Sequence, residues 1–393
     1  MSALPKGWKR ARLDAVATLE RATLRPEEIA TGTRSVGMEN IDGSGAFVDV
    51  GEVEAGELAS NKFAFTPEHV LYGKLRPYLM KIARPDFAGA CSTEILPIRA
   101  NGTVSRDYLF HYLRQPRMIA LANSRTAGAN LPRLSPTDLA TFPIDYPADA
   151  EEQRRIAGLL DEADALRRRR AEMIRLAGEL VPSVFREMFG DIGKDASCQL
   201  PLDEVAEIGT GVMKGRKFNG QPVVELPYLR VANVQAGYLD LSEIKSITLA
   251  ASDVERSRLR HHDVVLTEGG DHDKLGRGAL WESQVDPCVH QNHIFRVRCD
   301  PTRLLPRYFA EYIRSSPAVA YFRRCAKKTT NLATINLGQL KRLPVHLPPL
   351  VRQGEFAERL AGIHALLTSQ GRSARDLDAL FRSLLHRAFR GEL

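Results

Sequence analysis

The chain has 393 residues, 44% of them hydrophobic and 26% charged, with 55 basic against 48 acidic side chains for a net charge of +7. That composition is ordinary for a protein that buries real cores, and the length suits two or three domains. No run of about 18 apolar residues occurs, so no membrane-spanning helix is expected, and the modest basic excess is compatible with a polyanionic partner without requiring one.

In chain order, the opening "MSALPKGWKRARLD" is basic but has no apolar core of the signal-peptide kind. Short strand-like runs follow, among them "STEILPIRA" at 92–100, and then a predicted helix near 106–115. Ser135-Pro136 with Asp138 reads as a helix start. A proline-bounded strand, "FPIDYP", leads into a long amphipathic helix from "ADAEEQRRIAGLL" onward. The second half repeats this plan. Strand runs "DVVLTE" and "HIFRVRC" precede a helix near 306–316, a start signal at Asn336 with Gln339, the strand "LPVHLP", and a second long helix. Five cysteines, an odd number without paired spacing, fit a reducing cytosol and a cytoplasmic location.

The chain is therefore a duplication. "RLDAVATL" at 12–19 matches "PLDEVAEI" at 201–208, Asn40 matches Asn233, Pro116 matches Pro317, Asn130 matches Asn331, and Pro143 matches Pro344. The spacing between partners drifts from Leu13/Leu202 to Tyr108/Tyr308, then stays nearly constant. Insertions thus fall in the first two-thirds of each half. A fixed frame carries a variable portion, twice.

In the first long helix, apolar residues recur from Ile156 through 159, 163, 166, 173, 177, 180 and 184. This is a coiled-coil seam with one polar position, Arg170. The second helix has Phe356, Ile363, Leu366, Leu377, Leu380 and Leu384, with Gln370 at the equivalent place. Arg359 and Ser373 break that seam, so its stripe leans toward Leu360, Leu367, Ala374 and Phe381. Arg170 and Gln370 are the predicted helix-pair centre. Two similar halves pack most simply about a pseudo-twofold axis, which makes the pair antiparallel. About 34 helical residues would span about 50 Å, so the pair would act as a ruler between two heads. Pro182 is a candidate kink or early stop.

No catalytic set emerges. "HLPPL" at 346–350 lacks the polar residue before and the aromatic after that an amino-methyltransferase needs. "GTGVMKG" at 209–215 lacks dinucleotide or Walker spacing and reads as a turn. His261, His262 and "GGDHDKLGRG", or Cys288, His290 and His293, lack paired zinc-site spacing. No metal is expected.

Basic and polar residues do gather in loops at related places. The first half offers Lys74, Arg76, Tyr78, Lys81 and Arg84, then Arg125, Thr126 and Asn130. The second offers Lys274 and Arg277, then Arg323, Arg324, Lys327, Lys328, Thr329, Thr330 and Asn331. Lysine and arginine neutralise phosphates, while arginine and asparagine read guanine and adenine edges. These side chains are the DNA-binding candidates.

Two variable portions, each followed by a proline-bounded strand and an "EEQRRIAGLLDEADAL"-type helix, resemble the specificity subunit of type I restriction-modification systems. "GWKRARLDAVATL" and "DYPADAEEQRRI" carry the resemblance, which covers essentially the whole chain. Two junctions depart from the pattern: Pro147-Ala148 stands where a double proline is usual, and Val351-Arg352-Gln353 replaces a Glu-Gln pair. The resemblance implies an α+β fold with two similar mixed α/β target-recognition domains, at 1–147 and 191–348. Long antiparallel spacer helices at 148–190 and 349–393 would separate them as a pseudo-twofold internal repeat. It implies a non-catalytic subunit that reads a bipartite site on double-stranded DNA and docks two modification (methyltransferase) subunits and restriction subunits. S-adenosylmethionine, ATP and magnesium would be cofactors of those partners, with none in this chain. A stand-alone two-headed DNA-binding protein and a specificity subunit of another restriction class are the alternatives.

Overall fold

The short apolar runs of each half alternate their faces, as strands buried on both sides must. In the first half, the antiparallel sheet has the order Ala17–Leu19, Ile95–Ala100, His69–Gly73, Ile82–Ala83. Val70 and Tyr72 point to one core, shared with helix Arg106–Leu113, while Leu71 points to another. That second core is closed by a sheet of order Thr23–Leu24, Lys62–Phe65, Gly89–Ser92, Thr33–Val36, Gly51–Val53. The second half repeats this with Ala206–Thr210, Ile294–Cys299, Val264–Thr267 and Gly278–Leu280. Val264 and Leu266 face the helices, and Val265 faces the smaller sheet's side. Among the described residues each half has a parallel strand pair, through Ser35↔Ala90 and through Tyr228↔Val289.

The computed structural model describes residues 4–190, 199–215, 217–218, 220–270, 275–328 and 333–393, with only the backbone of Lys328. The chain forms two compact units, Met1–Glu172 with Gly371–Leu393, and Met173–Gln370. Each unit thus holds one sheet domain, the start of one long helix and the end of the other. The helices are Ala150–Phe189, 40 residues, and Leu350–Ala388, 39 residues, both longer than the sequence pattern suggested. Pro182 lies inside the first and does not end it.

Within each unit the two helix segments run antiparallel, as expected. In the first, Arg155 near the start of one helix donates to the Leu393 carbonyl (3.1 Å), while Arg167, further along, bonds Asp378 (2.6 Å), further back. In the second, Phe185 packs edge-on against Phe356 (5.4 Å between rings), and Arg359 reaches Glu187 (3.4 Å).

The buried row differs from the expected seam. Ile156, Leu160, Val181, Phe185 and Met188 are buried, whereas Leu159, Leu166, Met173 and Leu180 are exposed. Two rows at heptad spacing flank the same Ile156–Ala163–Ala177–Val184 line. The leucine-rich one faces out, because the inner one meets the domain as well as the partner helix. In the second helix, Phe356, Leu360 and Phe381 are buried and Leu366 and Leu380 are exposed. Its leaning stripe is the one used.

The junctions are built alike. Gln153 is 2% exposed; it accepts from the Ser105 N–H (2.8 Å) and donates to the carbonyls of Thr103 (3.1 Å) and Pro147 (2.9 Å). Gln353 accepts from Leu305 N–H (2.8 Å) and donates to Arg303 (3.0 Å) and Pro348 (2.9 Å). The altered wording around Val351-Arg352 therefore keeps the residue that closes the junction. The Tyr108 and Tyr308 hydroxyls donate to the carbonyls of Asp145 (2.7 Å) and His346 (3.0 Å). The end of the opposite helix then covers each tyrosine, with Phe389 on Tyr108 (5.3 Å) and Phe189 on Tyr308 (4.9 Å).

Candidate nucleic-acid interface

In each unit the central strand ends in a residue that fastens two loops together. Lys74 N–H donates to the Glu94 carbonyl (2.9 Å), and the Lys74 carbonyl accepts from Leu134 N–H (2.9 Å). Arg76 N–H then reaches Pro132 (2.8 Å), so the turn after the strand lies along the hairpin Thr126–Ala127/Arg133–Leu134. In the second unit Glu268 N–H donates to His293 (3.0 Å) and its carbonyl accepts from Ile335 N–H (2.9 Å). Gly269–Gly270 pairs with Ala333–Thr334 of the matching hairpin. The return is shared too: Gly73 N–H bonds Lys81 (2.8 Å) and Thr267 N–H bonds Arg277 (2.8 Å). These bonds set the correspondence. Lys81 stands where Arg277 does, and Lys74 stands where Glu268 does.

The structure brings most first-half candidates to one edge. Tyr78 is 52% exposed, with Leu79, Met80 and Leu131 exposed near it. Arg76 is half-buried in a left-handed conformation (φ +51°), its Nε enclosed without a hydrogen-bond partner. Lys74 is half-buried and Asn130 is exposed in the hairpin loop. Arg125 is exposed, donates to Thr141 Oγ1 (2.7 Å) and lies over the Phe142 ring. Two candidates are committed to backbone: Lys81 Nζ donates to the Met38 carbonyl, and Thr126 Oγ1 to that of Asn123 (2.9 Å). In the second unit Arg277 Nη1 donates to Gln235 Oε1 (3.1 Å), and Lys327 is exposed at the start of its hairpin. Lys328 is described by its backbone alone, and Lys274, Thr329, Thr330 and Asn331 lie outside the described residues.

Arg84 leaves this edge. It bonds Asp107 (2.8 Å) and Asp161 of the long helix (3.1 Å) and covers the Phe110 ring (4.2 Å). His111 Nε2 also donates to Asp161 (2.7 Å). Burial alone would raise the Asp161 carboxyl, but the bonds from His111 and Arg84 hold it well below the usual carboxylate range. Burial pushes His111 below its usual value, with the Asp161 carboxylate opposing. The predicted centre residues Arg170 and Gln370 are half-buried, each in its own unit.

Sequence reasoning missed the exposed apolar group Leu79, Met80 and Leu131, and the pair Glu268–His293. In that pair His293 Nδ1 donates to Glu268 Oε2 (2.6 Å). The only signal was position, immediately after "DVVLT" and inside "QNHIF".

The other motifs resolve simply. Gly211 of "GTGVMKG" packs so closely that a Cβ would sit 1.8 Å from the His290 carbonyl oxygen, so that glycine serves a backbone contact. His290 is buried, donates from Nδ1 to the Ser257 carbonyl (2.9 Å) and is pushed down to about 4 by burial. Among the described residues no three of His, Cys, Asp and Glu converge as metal ligands, and no helix is long and apolar enough to cross a membrane. Cys91, Cys288, Cys299 and Cys325 are free thiols.

No protein-family model matches the chain. Curated homologues do. The type I restriction enzyme StySPI specificity subunit of Salmonella potsdam is 22% identical over 99% of this chain and 90% of its own length. The EcoKI specificity subunit of Escherichia coli K12 is 22% identical over the same shares. Among solved structures, a chain described under "Structural basis underlying complex assembly and conformational transition of the type I R-M system" has a TM-score of 0.64, 23% identity and full coverage of both chains. The type I restriction-modification S subunit of M. genitalium has a TM-score of 0.54 and 12% identity, covering 97% of this chain and 96% of its own. The chain shares their fold, and its curated homologues are named type I restriction enzyme specificity subunits, these two matching it over 99% of its length.

Proposed function

We propose that this chain, homologous from end to end to type I restriction enzyme specificity subunits, is the DNA sequence-specificity subunit of a type I restriction-modification complex. Each unit presents its loop-and-hairpin edge to one half of a bipartite site on double-stranded DNA. The chain does no chemistry itself. Two modification subunits bring S-adenosylmethionine and methylate the DNA, and restriction subunits bring ATP and magnesium; the assembly works in the cytoplasm.

One observation carries this reading. The same backbone frame is built twice, down to the bonds of Lys74 and Glu268, yet the side chains it displays differ. A frame kept while its displayed surface changes is what a protein needs to read two unlike half-sites with one architecture. Exposed Arg125 and Lys327 supply phosphate contacts. The bare apolar residues of the helix pair suit a partner's helix. They are Leu159, Leu166 and Leu380 in the first unit, and Met173, Leu176, Leu180 and Leu366 in the second.

The test is a head exchange. Residues 1–147 are replaced by the matching segment of a relative, the chain is co-expressed with its modification subunit, and methylated sites are mapped. One half of the recognised sequence should change and the other should stay. A change in both halves, or methylation with no bipartite motif, defeats the proposal.

A further inference from the structure

Glu268 is an odd residue to find on a surface that meets DNA. It follows the central strand of the second unit, and its carbonyl holds the hairpin that begins at exposed Lys327. Its side chain is 32% exposed and that of its partner His293 is 56% exposed. Phosphates repel a carboxylate, so an acid at such an edge weakens non-specific binding unless it has something to accept from.

The first unit shows what the place holds otherwise. Lys74 makes the same backbone bonds as Glu268, and Glu94 makes those of His293. Arg133, which corresponds to Thr334, grips Glu94 at 3.2 Å. One frame therefore carries Lys–Glu–Arg in the first head and Glu–His–Thr in the second, with the charge of the leading residue reversed.

The second-head carboxylate is also aimed. His293 Nδ1 lies 2.6 Å from Glu268 Oε2, and since a carboxylate oxygen only accepts, Nδ1 is the donor. One carboxylate oxygen is held. A carboxylate fixed in place, and an acceptor only, matches the exocyclic amino group of cytosine in the major groove, the only edge group there that cytosine donates.

We propose that Glu268 is a specificity-determining residue that accepts from cytosine N4 in the half-site read by the second unit, with His293 as its positioning residue. This rests on the DNA-recognition reading above. Lys74, at the same place in the first unit, does the opposite work and faces phosphate or guanine acceptors.

The experiment uses the full chain in complex with its modification subunit and a randomised duplex library, with methylated molecules sequenced. The wild-type complex should yield a bipartite motif with a C:G pair in the second unit's half. Glu268→Ala should relax that one pair, cutting discrimination roughly 5- to 150-fold, and His293→Ala should relax the same pair less. Glu268→Gln, nearly isosteric, should shift the preference toward adenine, which glutamine reads through N6 and N7. The first unit's half-site, unchanged in every variant, reports that the protein is folded. Identical motifs from wild type and Glu268→Ala overturn the proposal, as does uniform loss of the whole second half-site. A wild-type complex that selects no bipartite motif overturns the DNA-recognition reading instead, so the two failures are distinguishable.

Discussion

The two copies are alike at the back of each unit and unlike at its loop edge. At the back, Gln153 and Gln353 make the same three hydrogen bonds, Tyr108 and Tyr308 cap equivalent strands, and Phe389 and Phe189 close over them. At the edge, Lys74 is replaced in the second copy by Glu268, and Glu94 by His293. Packing constrains the back from all sides, since a buried amide or ring has one arrangement that satisfies it. The edge is constrained only by its backbone bonds. The repeat thus separates what builds the frame from what the frame displays.

The comparison can be broken hardest at the rings. Phe389→Ala should cost about 3–5 kcal/mol, since Phe389 is 4% exposed. Phe189→Ala should cost less, because Phe189 is only partly buried. Urea unfolding checks both, and equal costs would mean that the two closures are not ranked by burial. Next come the glutamines. Gln153→Ala and Gln353→Ala should each cost about 2–4 kcal/mol and match within error, because each strands two backbone carbonyls and one N–H. A large inequality would show that the junctions only look alike.

The two units should part company in acid. His111–Asp161 in the first unit has Glu311 and Ala361 as counterparts in the second. Asp161 is lowered in the folded state, so its contribution is present above the unfolded value near 3.9 and fades as pH falls. His111 is also lowered and acts in the same direction from about pH 6.5 downward. Glu311 is raised, chiefly by burial, so its contribution is present below about 4.3 and is lost as pH rises through its folded value. The chain has one tryptophan in each unit, Trp8 and Trp281. Trp8→Phe and Trp281→Phe variants therefore report on the units separately. Between about pH 5 and 3 the first unit should lose urea resistance relative to the second, and Asp161→Asn should flatten its pH dependence. The smallest effects belong to the phosphate candidates. Arg125→Ala or Lys327→Ala should weaken DNA binding uniformly across sequences and reduce the salt slope by about one each.

Much of this was legible in the chain. Asn336 with Gln339 does form a reciprocal helix cap, with bonds of 2.8 and 2.9 Å, because that motif satisfies itself locally. The helix pairing was readable from the Ile156 and Phe356 rows. Which flanking row turns inward was not, since Leu159 and Leu160 both keep a heptad period and only the sheet domain decides between them. The roles of Phe189 and Phe389 were missed because they depend on contacts distant in sequence. Lys74's true counterpart was hidden by insertions that shift the numbering, and the backbone bonds of Lys74 and Glu268 restored it.

The crossing of helix ends has a consequence for how the protein is made. Phe381, Leu385, Ala388 and Phe389 complete the core of the first unit, yet the ribosome adds them after the entire second unit. The first sheet domain must wait with Tyr108 and Tyr112 uncovered while roughly two hundred further residues emerge. Synthesis that stops short of residue 381 would leave an intact second unit and an unfinished first one.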